Sequence, residues 1–301
     1  MWYTIKKYVI IIQKTVKKIY GEIMESSLLQ KKLREQGYFC GDDLALVLSL
    51  SEVLHKPILL EGPAGVGKTE LAKAYAAAFS RPLIRLQCYE GLDERHALYE
   101  WNYQKQLLYL ENSKELSWDA AKENLFSDEF LLPRPLLKAF LSEEPAVLLI
   151  DEIDKSDEEF ESFLLEALSD FAVTVPERGT VRAKTMPMIF LTSNAMRDFS
   201  DGLKRRCVHF YIDYPSLEEE TVILKAKVPE LDSAMAEQIA AFAQKLRKMK
   251  LERVPGLAEV LDWAKVLASL GLKGFDDPDI EGTYHFLVKS KNDFERLRQG
   301  V

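Results

Sequence analysis

The sequence of 301 residues has little cysteine and no excess of positive charge, and each deficit argues against a class of protein. Its three cysteines, Cys40, Cys88 and Cys207, form no C-x-x-C pair, which disfavours a disulfide framework or a zinc site and suits a reducing compartment. The 40 lysines and arginines face 48 aspartates and glutamates, a net charge of -8, so the basic footprint of a protein held on nucleic acid is missing. We therefore expect no nucleic-acid partner and a cytoplasmic location.

Long apolar runs are missing too: none approaches the roughly 18 residues that a membrane-spanning helix requires. With 47% hydrophobic and 29% charged residues, the composition is typical of a globular protein with a substantial core. The length allows one large domain or two of ordinary size.

Residues 1–23 alternate lysines with apolar side chains at helical spacing, which predicts a basic amphipathic helix. We treat residues 1–27 as a separate N-terminal segment. Three interpretations are open: peripheral contact with an anionic membrane, packing on the domain that follows, or an extension upstream of a start at Met24. A signal peptide is disfavoured, because the apolar run is short and no small-residue cleavage site follows it.

The most informative stretch is an apolar run, Pro57–Glu61, that breaks into Gly-Pro-Ala-Gly-Val-Gly-Lys-Thr and then into a helical pattern. It matches the phosphate-loop pattern G-x-x-x-x-G-K-[ST] in the strand-to-helix context that the pattern requires. The predicted nucleotide-binding residues of this loop are Gly62, Pro63, Ala64, Gly65, Val66, Gly67, Lys68 and Thr69. A turn that binds nothing is disfavoured, because the fixed positions and both flanks agree.

Each residue type in this loop has a chemical reason. Glycines let the backbone curl until its N–H groups point at phosphate oxygens, and the helix that follows adds its positive N-terminal end. Lys68 is placed to reach the β- and γ-phosphates, and the hydroxyl of Thr69 to bind Mg²⁺. ATP and Mg²⁺ are therefore the predicted cofactors.

An acidic element follows the apolar run Val147–Ile150. Four consecutive apolar residues predict a strand buried on both faces, as in a parallel sheet, and Asp151 and Glu152 come where that strand ends. We expect Asp151 to hold Mg²⁺, directly or through water, and Glu152 to orient and deprotonate the water that attacks the γ-phosphate. The alternative, that these acids cap the next helix, is weakened because Ser156–Glu159 has the pattern of a capping box.

Strands and helices alternate as far as Tyr214, and only helices are predicted beyond it. Further strands are predicted at Leu83–Cys88, Val173–Pro176 and Val181–Lys184 as a hairpin, Met188–Thr192 and Cys207–Ile212. Two helices are predicted between Leu28 and His55, and two more, at Ser117–Leu125 and Pro135–Leu141, in an insertion between strands. Later helices are predicted at Leu217–Ala226, Ala234–Lys250, Gly256–Leu270 and Asn292–Arg298. The aromatic residues of the insertion are expected in the core. The fold class is α/β, with a mostly parallel sheet at 28–213 and an all-helical domain at 214–301.

In order along the chain, GPAGVGKT, LLIDEID, LTSN and KRRC resemble the motifs of an AAA+ ATPase, over about residues 30 to 290. LIRLQCYEGLDERHALYEW and PGLAEVLDWAKVL are similar to the MoxR branch, including the MoxR-type ATPases that accompany carbon-monoxide-dehydrogenase maturation. The resemblance implies a P-loop αβα sandwich of five strands in the order 5-1-4-3-2, with a C-terminal helical lid. It also implies a homo-oligomeric ring, expected to be a hexamer, with nucleotide bound between neighbours.

The same resemblance implies roles for three more residues. Asn194 is the expected sensor that positions the attacking water. Arg206 is the expected finger that reaches a neighbour's γ-phosphate, with Arg205 as the alternative. One position departs from the family pattern: many AAA+ proteins have an arginine in a G-x-x-R motif that opens a lid helix, and this chain has Glu259 there. Arg253, close upstream, is the candidate substitute.

The function implied by the resemblance is an ATPase that remodels or matures a client, together with a separate protein that carries a von Willebrand factor A domain. A nucleic-acid motor or loader is an alternative, disfavoured by the acidic balance and the lack of a DNA-reading module. A nucleotide-dependent switch is another, disfavoured because a pure switch does not need Glu152 as a base. Guanine specificity is disfavoured because no N-K-x-D motif occurs.

Overall fold

The computed structural model describes residues 26–112, 124–176, 178–272 and 274–300. The amphipathic helix predicted within residues 1–23 and most of the helix predicted at Ser117–Leu125 lie outside these ranges. The described chain divides into two compact units. The sheet unit runs as far as Glu61 and again over Leu71–Phe210, and the helical unit takes Gly62–Glu70 together with the chain from Tyr211 onwards. The domain boundaries given above remain a prediction.

The predicted strands and helices that fall in the described ranges are present with small shifts at their ends, and further short elements lie between them. The strands are β1 (Ile58–Glu61), β2 (Leu83–Gln87), β3 (Tyr99–Trp101), β4 (Leu131–Pro133), β5 (Val147–Asp151), β6 (Ala172–Val175), β7 (Gly179–Arg182), β8 (Met188–Ser193) and β9 (Val208–Tyr211). The α-helices are α1 (Ser26–Glu35), α2 (Asp42–Leu54), α3 (Lys68–Ala78), α4 (Glu94–Ala97), α5 (Tyr103–Asn112), α6 (Pro135–Phe140), α7 (Glu158–Asp170), α8 (Asp201–Arg206), α9 (Leu217–Lys227), α10 (Ser233–Lys248), α11 (Leu257–Leu270), α12 (Ile280–Thr283) and α13 (Lys291–Gly300).

Five of the strands form one sheet in the order β2-β5-β8-β1-β9. The pairs β2–β5, β5–β8 and β8–β1 are parallel. Strands β5 and β8 are buried along their whole length, as the middle strands of a parallel sheet are. The order is the 5-1-4-3-2 arrangement that the sequence motifs implied, so the predicted sheet is confirmed.

The register of this sheet decides which residues meet at its carboxyl edge. Glu61 of β1 lies opposite Ser193 of β8, and Gln87 of β2 lies opposite Asp151 of β5. The carboxyl ends of parallel strands share one edge, where ligands of open α/β sheets bind. Four strand ends are therefore gathered at this edge of the sheet unit.

The insertion between β2 and β5 contains two strands that the sequence did not predict. β3 and β4 pair antiparallel, with Trp101 opposite Leu131. Each has only three residues, too few for a period-two alternation to be visible in the sequence. Trp101 is 5% exposed and belongs to the core of the sheet unit, as expected of it. The hairpin predicted before Met188 is present as β6 paired antiparallel with β7.

The helical unit has its own apolar core, built from α9 to α13 around the fully buried Trp263. The indole Nε1 of Trp263 donates to Thr283 Oγ1 at 2.7 Å, so its polar atom is satisfied inside the core. Phe242, Phe275 and Tyr284 surround the ring. Among the residues that the structure describes, no helix combines the length and the apolar character that crossing a bilayer demands.

Candidate functional site

The phosphate loop runs from Gly62 to Gly67, between the end of β1 and the start of α3. Gly62 has φ +150°, and a Cβ on it would lie 2.0 Å from the carbonyl oxygen of Ile212, so a side chain cannot be accommodated there. Gly65 has φ +77°, a left-handed conformation that residues with side chains rarely adopt. The chain needs glycine at both positions to follow this path.

Lys68, the first residue of α3, is 7% exposed and its ammonium lies over the loop. Its Nζ donates to the carbonyl oxygens of Gly62 at 2.7 Å and Pro63 at 2.6 Å. Thr69 follows in the first turn of the helix, where backbone N–H groups lack intrahelical acceptors and the helix dipole is positive. A buried ammonium, a glycine-shaped backbone and a helix N-terminus together fit an anionic phosphate chain.

At the carboxyl edge of the sheet unit, Asp151 ends β5 and is held on both carboxylate oxygens. It is 2% exposed. Thr192 Oγ1 donates to Asp151 Oδ1 at 2.5 Å, and Arg85 Nη2 pairs with Oδ2 at 2.5 Å. A buried carboxylate persists only when it is paired and hydrogen-bonded, and these two partners compensate its burial.

Glu152 follows in a left-handed backbone conformation, φ 57° and ψ 48°, which is uncommon for a residue with a side chain. Its N–H donates to Thr192 Oγ1 at 2.9 Å. Its Oε2 accepts from Gln87 Nε2 at 2.8 Å and from Lys155 Nζ at 2.6 Å. The hydrogen bond and the negative charge of Glu152 raise the pKa of Lys155 above its ordinary value. The Glu152 side chain is 35% exposed, so water can reach it.

Asn194 directly follows β8, and its backbone N–H donates to Asp154 Oδ2 at 3.1 Å. Asp154 lies in the short 3₁₀ helix after Glu152, so the loop of the predicted sensor is tied to the acidic element. The structure thus brings Asp151, Glu152 and Asn194 to one edge of the sheet unit.

Cys88, just after β2, is not a reactive thiol, because burial and the neighbouring carboxylates raise the pKa of its thiol to about 12.

Arg205 and Arg206 close α8, and both are exposed. Arg206 is held within its own chain, because its Nε donates to Ser169 Oγ and its Nη1 donates to the carbonyl oxygen of Gly202 at 3.3 Å. The side chain of Arg205 has no hydrogen bond or ion pair with another residue in the ranges that the structure describes. Which of them is the finger stays a prediction.

The capping box predicted at Ser156–Glu159 is wrong by one residue. The N-cap of α7 is Asp157, whose Oδ1 accepts from Phe160 N at 2.8 Å. Ser156 instead donates its hydroxyl to the carbonyl oxygen of Ile153 at 2.7 Å, which closes the 3₁₀ helix. The inference drawn from the box is unaffected, because neither Asp151 nor Glu152 caps α7.

Three polar residues at this edge were missed from the sequence: Arg85, Gln87 and Thr192. Arg85 and Gln87 alternate with Ile84 and Leu86 along β2, and this period-two pattern was available as a signal. What it could not give was the register that sets Gln87 opposite Asp151. Thr192 gave no signal, because a buried threonine in a strand is ordinary until its hydroxyl is located.

A model of the AAA domain, dynein-related subfamily, matches residues 57–207, from the last residue before β1 to the last residue before β9. That match covers half of the chain. The chain belongs to this AAA domain family. It accordingly has the P-loop AAA+ fold, with its five-stranded sheet and a helical C-terminal region.

Two similar proteins are gas vesicle ATPases of Halobacterium salinarum and Haloferax mediterranei. This chain is 26% identical to GvpN2 of Halobacterium salinarum, over 82% of its own length and 73% of the length of GvpN2. It is 27% identical to GvpN of the second over 74% of its own length, and it spans 64%, less than two thirds, of that relative. Among solved structures, the RuvB Holliday junction branch migration motor of Thermotoga maritima aligns with a TM-score of 0.45 and 17% identity, over 85% of this chain and 68% of that one.

Proposed function

We propose that this AAA protein hydrolyses ATP with Mg²⁺ and uses the energy to remodel or mature a partner protein. The observation that carries the proposal is the arrangement around Thr192, whose single hydroxyl binds both Asp151 Oδ1 and the N–H of Glu152. It places two carboxylates of different environment, one buried and one reachable by water, at the edge where ligands of such sheets bind. Chain connectivity adds support, because β1 ends at the same edge and leads into the phosphate loop.

The residues divide the work between binding and reaction. The loop backbone and Lys68 would bind the phosphates. Mg²⁺ prefers oxygen ligands, and the hydroxyl of Thr69 and the carboxylate of Asp151 are each of this chemical type; the ion when bound would neutralise developing charge on the phosphates. Glu152 would accept the proton of the attacking water, and Asn194 would orient that water.

Glu152 distinguishes this proposal from a nucleotide-dependent switch. Its carboxylate is fixed through the backbone by Thr192 and through Oε2 by Gln87 and Lys155, which leaves Oε1 as the oxygen available to take up a proton. A protein that only binds nucleotide has no need of a carboxylate held in this way. A nucleic-acid motor receives no support from the residues described, and the net charge of -8 argues against it.

We further propose a MoxR-type ring, expected to be hexameric and cytoplasmic, that acts with a separate von Willebrand factor A domain protein on a client complex. The GvpN relatives carry the name gas vesicle ATPase, and the word ATPase supports hydrolysis; the gas vesicle in that name is not carried over to this chain. Peripheral membrane contact through residues 1–23 stays part of the proposal.

A pull-down from the native host with Glu152→Gln tests the remodelling function. The variant should bind ATP, fail to hydrolyse it, and so retain ATP and client together. Lys68→Ala, which should not bind ATP, and Glu158→Gln, an exposed acid on α7, are the controls. We expect the client to be enriched at least several-fold over both controls, and only in the presence of ATP. Equal recovery with Lys68→Ala would contradict a nucleotide-driven action on that client.

A further inference from the structure

Within the helical unit, the start of α11 packs directly on the phosphate loop. Gly256, the N-cap of α11, has φ -80° and ψ 176°, an extended conformation that any residue can adopt. Yet a Cβ on Gly256 would lie 2.6 Å from the carbonyl oxygen of Ala64 and 2.8 Å from Gly65 Cα. Glycine is required there by the neighbouring loop and not by the backbone conformation. The two chain segments are therefore in backbone contact.

Glu259 lies in this contact. A Cβ built on Gly65 would be 2.9 Å from Glu259 Oε2 and 3.1 Å from Gly256 Cα, so the carboxylate touches the face of the loop at Gly65. Glu259 Oε2 accepts from Gly256 N at 3.1 Å, which fixes the side chain in place. Ala258 N donates to the carbonyl oxygen of Gly65 at 3.2 Å, which fixes the helix to the loop.

The carboxylate of Glu259 forms no ion pair within the part of the chain that the structure describes. No lysine or arginine among the described residues forms an ion pair with it. Arg247, which stacks on the ring of Tyr214 at 4.6 Å, is committed to Glu220 through two hydrogen bonds of 2.7 Å. A fixed carboxylate that is not neutralised by an ion pair with any described residue therefore lies against the loop that is proposed to bind phosphates.

We propose that Glu259 makes this loop discriminate against the γ-phosphate, so that the helical unit binds ADP more tightly relative to ATP than the loop alone would. The proposal rests on nucleotide binding by the phosphate loop. ATP carries one more negative charge than ADP, and the carboxylate repels that charge. The repulsion is weakened but not abolished by the effective dielectric constant of the protein, which is about 20. The effect of Glu259 on the γ-phosphate is opposite in sign to that of an arginine, the residue that the family resemblance led us to expect at this position.

The variant Glu259→Gln tests the charge alone, because the amide oxygen can still accept from Gly256 N. Dissociation constants for Mg²⁺ with ADP and with a non-hydrolysable ATP analogue are measured by calorimetry at low and high salt. We expect the ratio of the analogue's constant to the ADP constant to fall about tenfold at low salt and by less at high salt, because salt screens the repulsion.

Glu219→Gln is the matched control. Glu219 is also a glutamate in the first turn of a helix whose Oε2 accepts from the N-cap N–H, here Ser216 N at 2.9 Å, but it caps α9. For Glu219→Gln, the ratio of the analogue's dissociation constant to the ADP constant should not change. If Glu259→Gln leaves the ratio unchanged, or shifts both nucleotides equally, Glu259 is only a helix cap and the proposal fails. If the unmodified protein binds neither nucleotide, the proposed function fails instead.

A second pair of variants tests the backbone contact. Gly256→Ala should lower the affinity for both nucleotides by a similar factor, because the methyl group of the alanine would clash with Ala64 and Gly65. Gly282→Ala in α12, where a Cβ meets nothing within 4 Å, should leave both unchanged. Unaltered nucleotide binding by Gly256→Ala would contradict the contact on which the proposal depends.

Discussion

Thr192 is the residue on which the acidic edge depends. A left-handed conformation such as that of Glu152 costs about 1–3 kcal/mol and persists only where the surroundings enforce it. Here the Thr192 hydroxyl accepts the Glu152 N–H while donating to Asp151, and Lys155 and Gln87 hold the side chain. The strain is thus localised at the residue that the proposed reaction uses.

A second buried acid, Glu161, gives a pH-dependent prediction. Its side chain is 3% exposed, accepts from Ser200 N at 2.8 Å and pairs with Arg197 at 3.0 Å. Burial alone would raise its pKa, but the hydrogen bonds from Ser200 and the Arg197 charge lower it below the ordinary 4.5. The folded pKa is lower than the unfolded one, so the stabilisation is complete above about pH 4.5 and is lost as pH falls through the folded value.

Glu161→Gln should therefore lower the free energy of unfolding at pH 7 by about 1.5–3 kcal/mol, the range for a hydrogen bond to a charged group. The deficit relative to the unmodified protein should shrink as the pH falls below 4.5, because the unmodified protein loses the same contribution. Denaturant unfolding at a series of pH values measures this. Glu166→Gln, an exposed acid on the same helix, should show no such dependence. A deficit that is independent of pH would contradict the depressed pKa.

At the scale of elements, a buried ion pair joins α9 to α10. Glu220 is fully buried and Arg247 is 6% exposed, and they meet through two parallel hydrogen bonds of 2.7 Å. Arg247 Nε also donates to the carbonyl oxygen of Pro255 at 3.3 Å, one residue before the cap of α11. One guanidinium thus ties three segments of the helical unit together.

Glu220→Ala should destabilise the helical unit by about 3–5 kcal/mol, because it leaves the Arg247 charge buried and unpaired. The structure offers a control on the same two helices: Lys225 of α9 pairs with Glu237 of α10 at 3.2 Å with both side chains exposed. Glu237→Ala should cost less than about 1 kcal/mol. Denaturant unfolding of both variants is the measurement. Equal losses would mean that burial does not set the strength of these pairs.

Elements with strong local signals were predictable from the sequence. The apolar runs of β1, β5 and β8 predicted the sheet's central strands, the glycine pattern predicted the phosphate loop, and Asp151 and Glu152 were expected at the edge where their strand ends. The short strands β3 and β4 were not predictable, since each pairs only through the tertiary structure of the insertion.

The partners of the site residues could not be read from the sequence either. Gln87 meets Glu152 across 65 positions and Thr192 meets Asp151 across 41, and both pairings depend on strand register, which has no local signal. The contact of Glu259 with Gly65 had no local signal either, since a glutamate three residues after a glycine predicts a helix cap and nothing about the loop that the cap touches.

At the scale of the whole molecule, the position of Arg206 bears on how sites are shared. Val208 N donates to Pro57 O at 2.8 Å, so β9 begins beside the start of β1 and Arg206 precedes that point. The phosphate loop leaves the other end of β1, about 13 Å further along at 3.3 Å per residue. We therefore propose that Arg206, which precedes the amino end of β9, serves the nucleotide of a neighbouring subunit.

Arg206→Ala should bind ATP almost normally and lose nearly all turnover, since a finger arginine is worth about 10³ to 10⁵ in rate. Mixing it with Lys68→Ala subunits should restore part of the activity, because one interface can then pair an intact loop with an intact arginine. ATP turnover of the mixture, with mixed oligomers verified by mass, is the measurement. An inactive mixture would exclude a shared site with this finger, and full activity of Arg206→Ala beside an inactive Arg205→Ala would assign the role to Arg205.

The most direct test of the whole account measures ATP binding and ATP turnover on the same sample of Glu152→Gln, with Mg²⁺ present. We expect its dissociation constant for ATP to stay within about threefold of the unmodified protein and its kcat to fall by about 10² or more, the lower range for loss of a general base. Glu158→Gln, exposed on α7, should keep both constants. Normal turnover by Glu152→Gln, or loss of ATP binding in a folded variant, would contradict the assignment of Glu152 as the base.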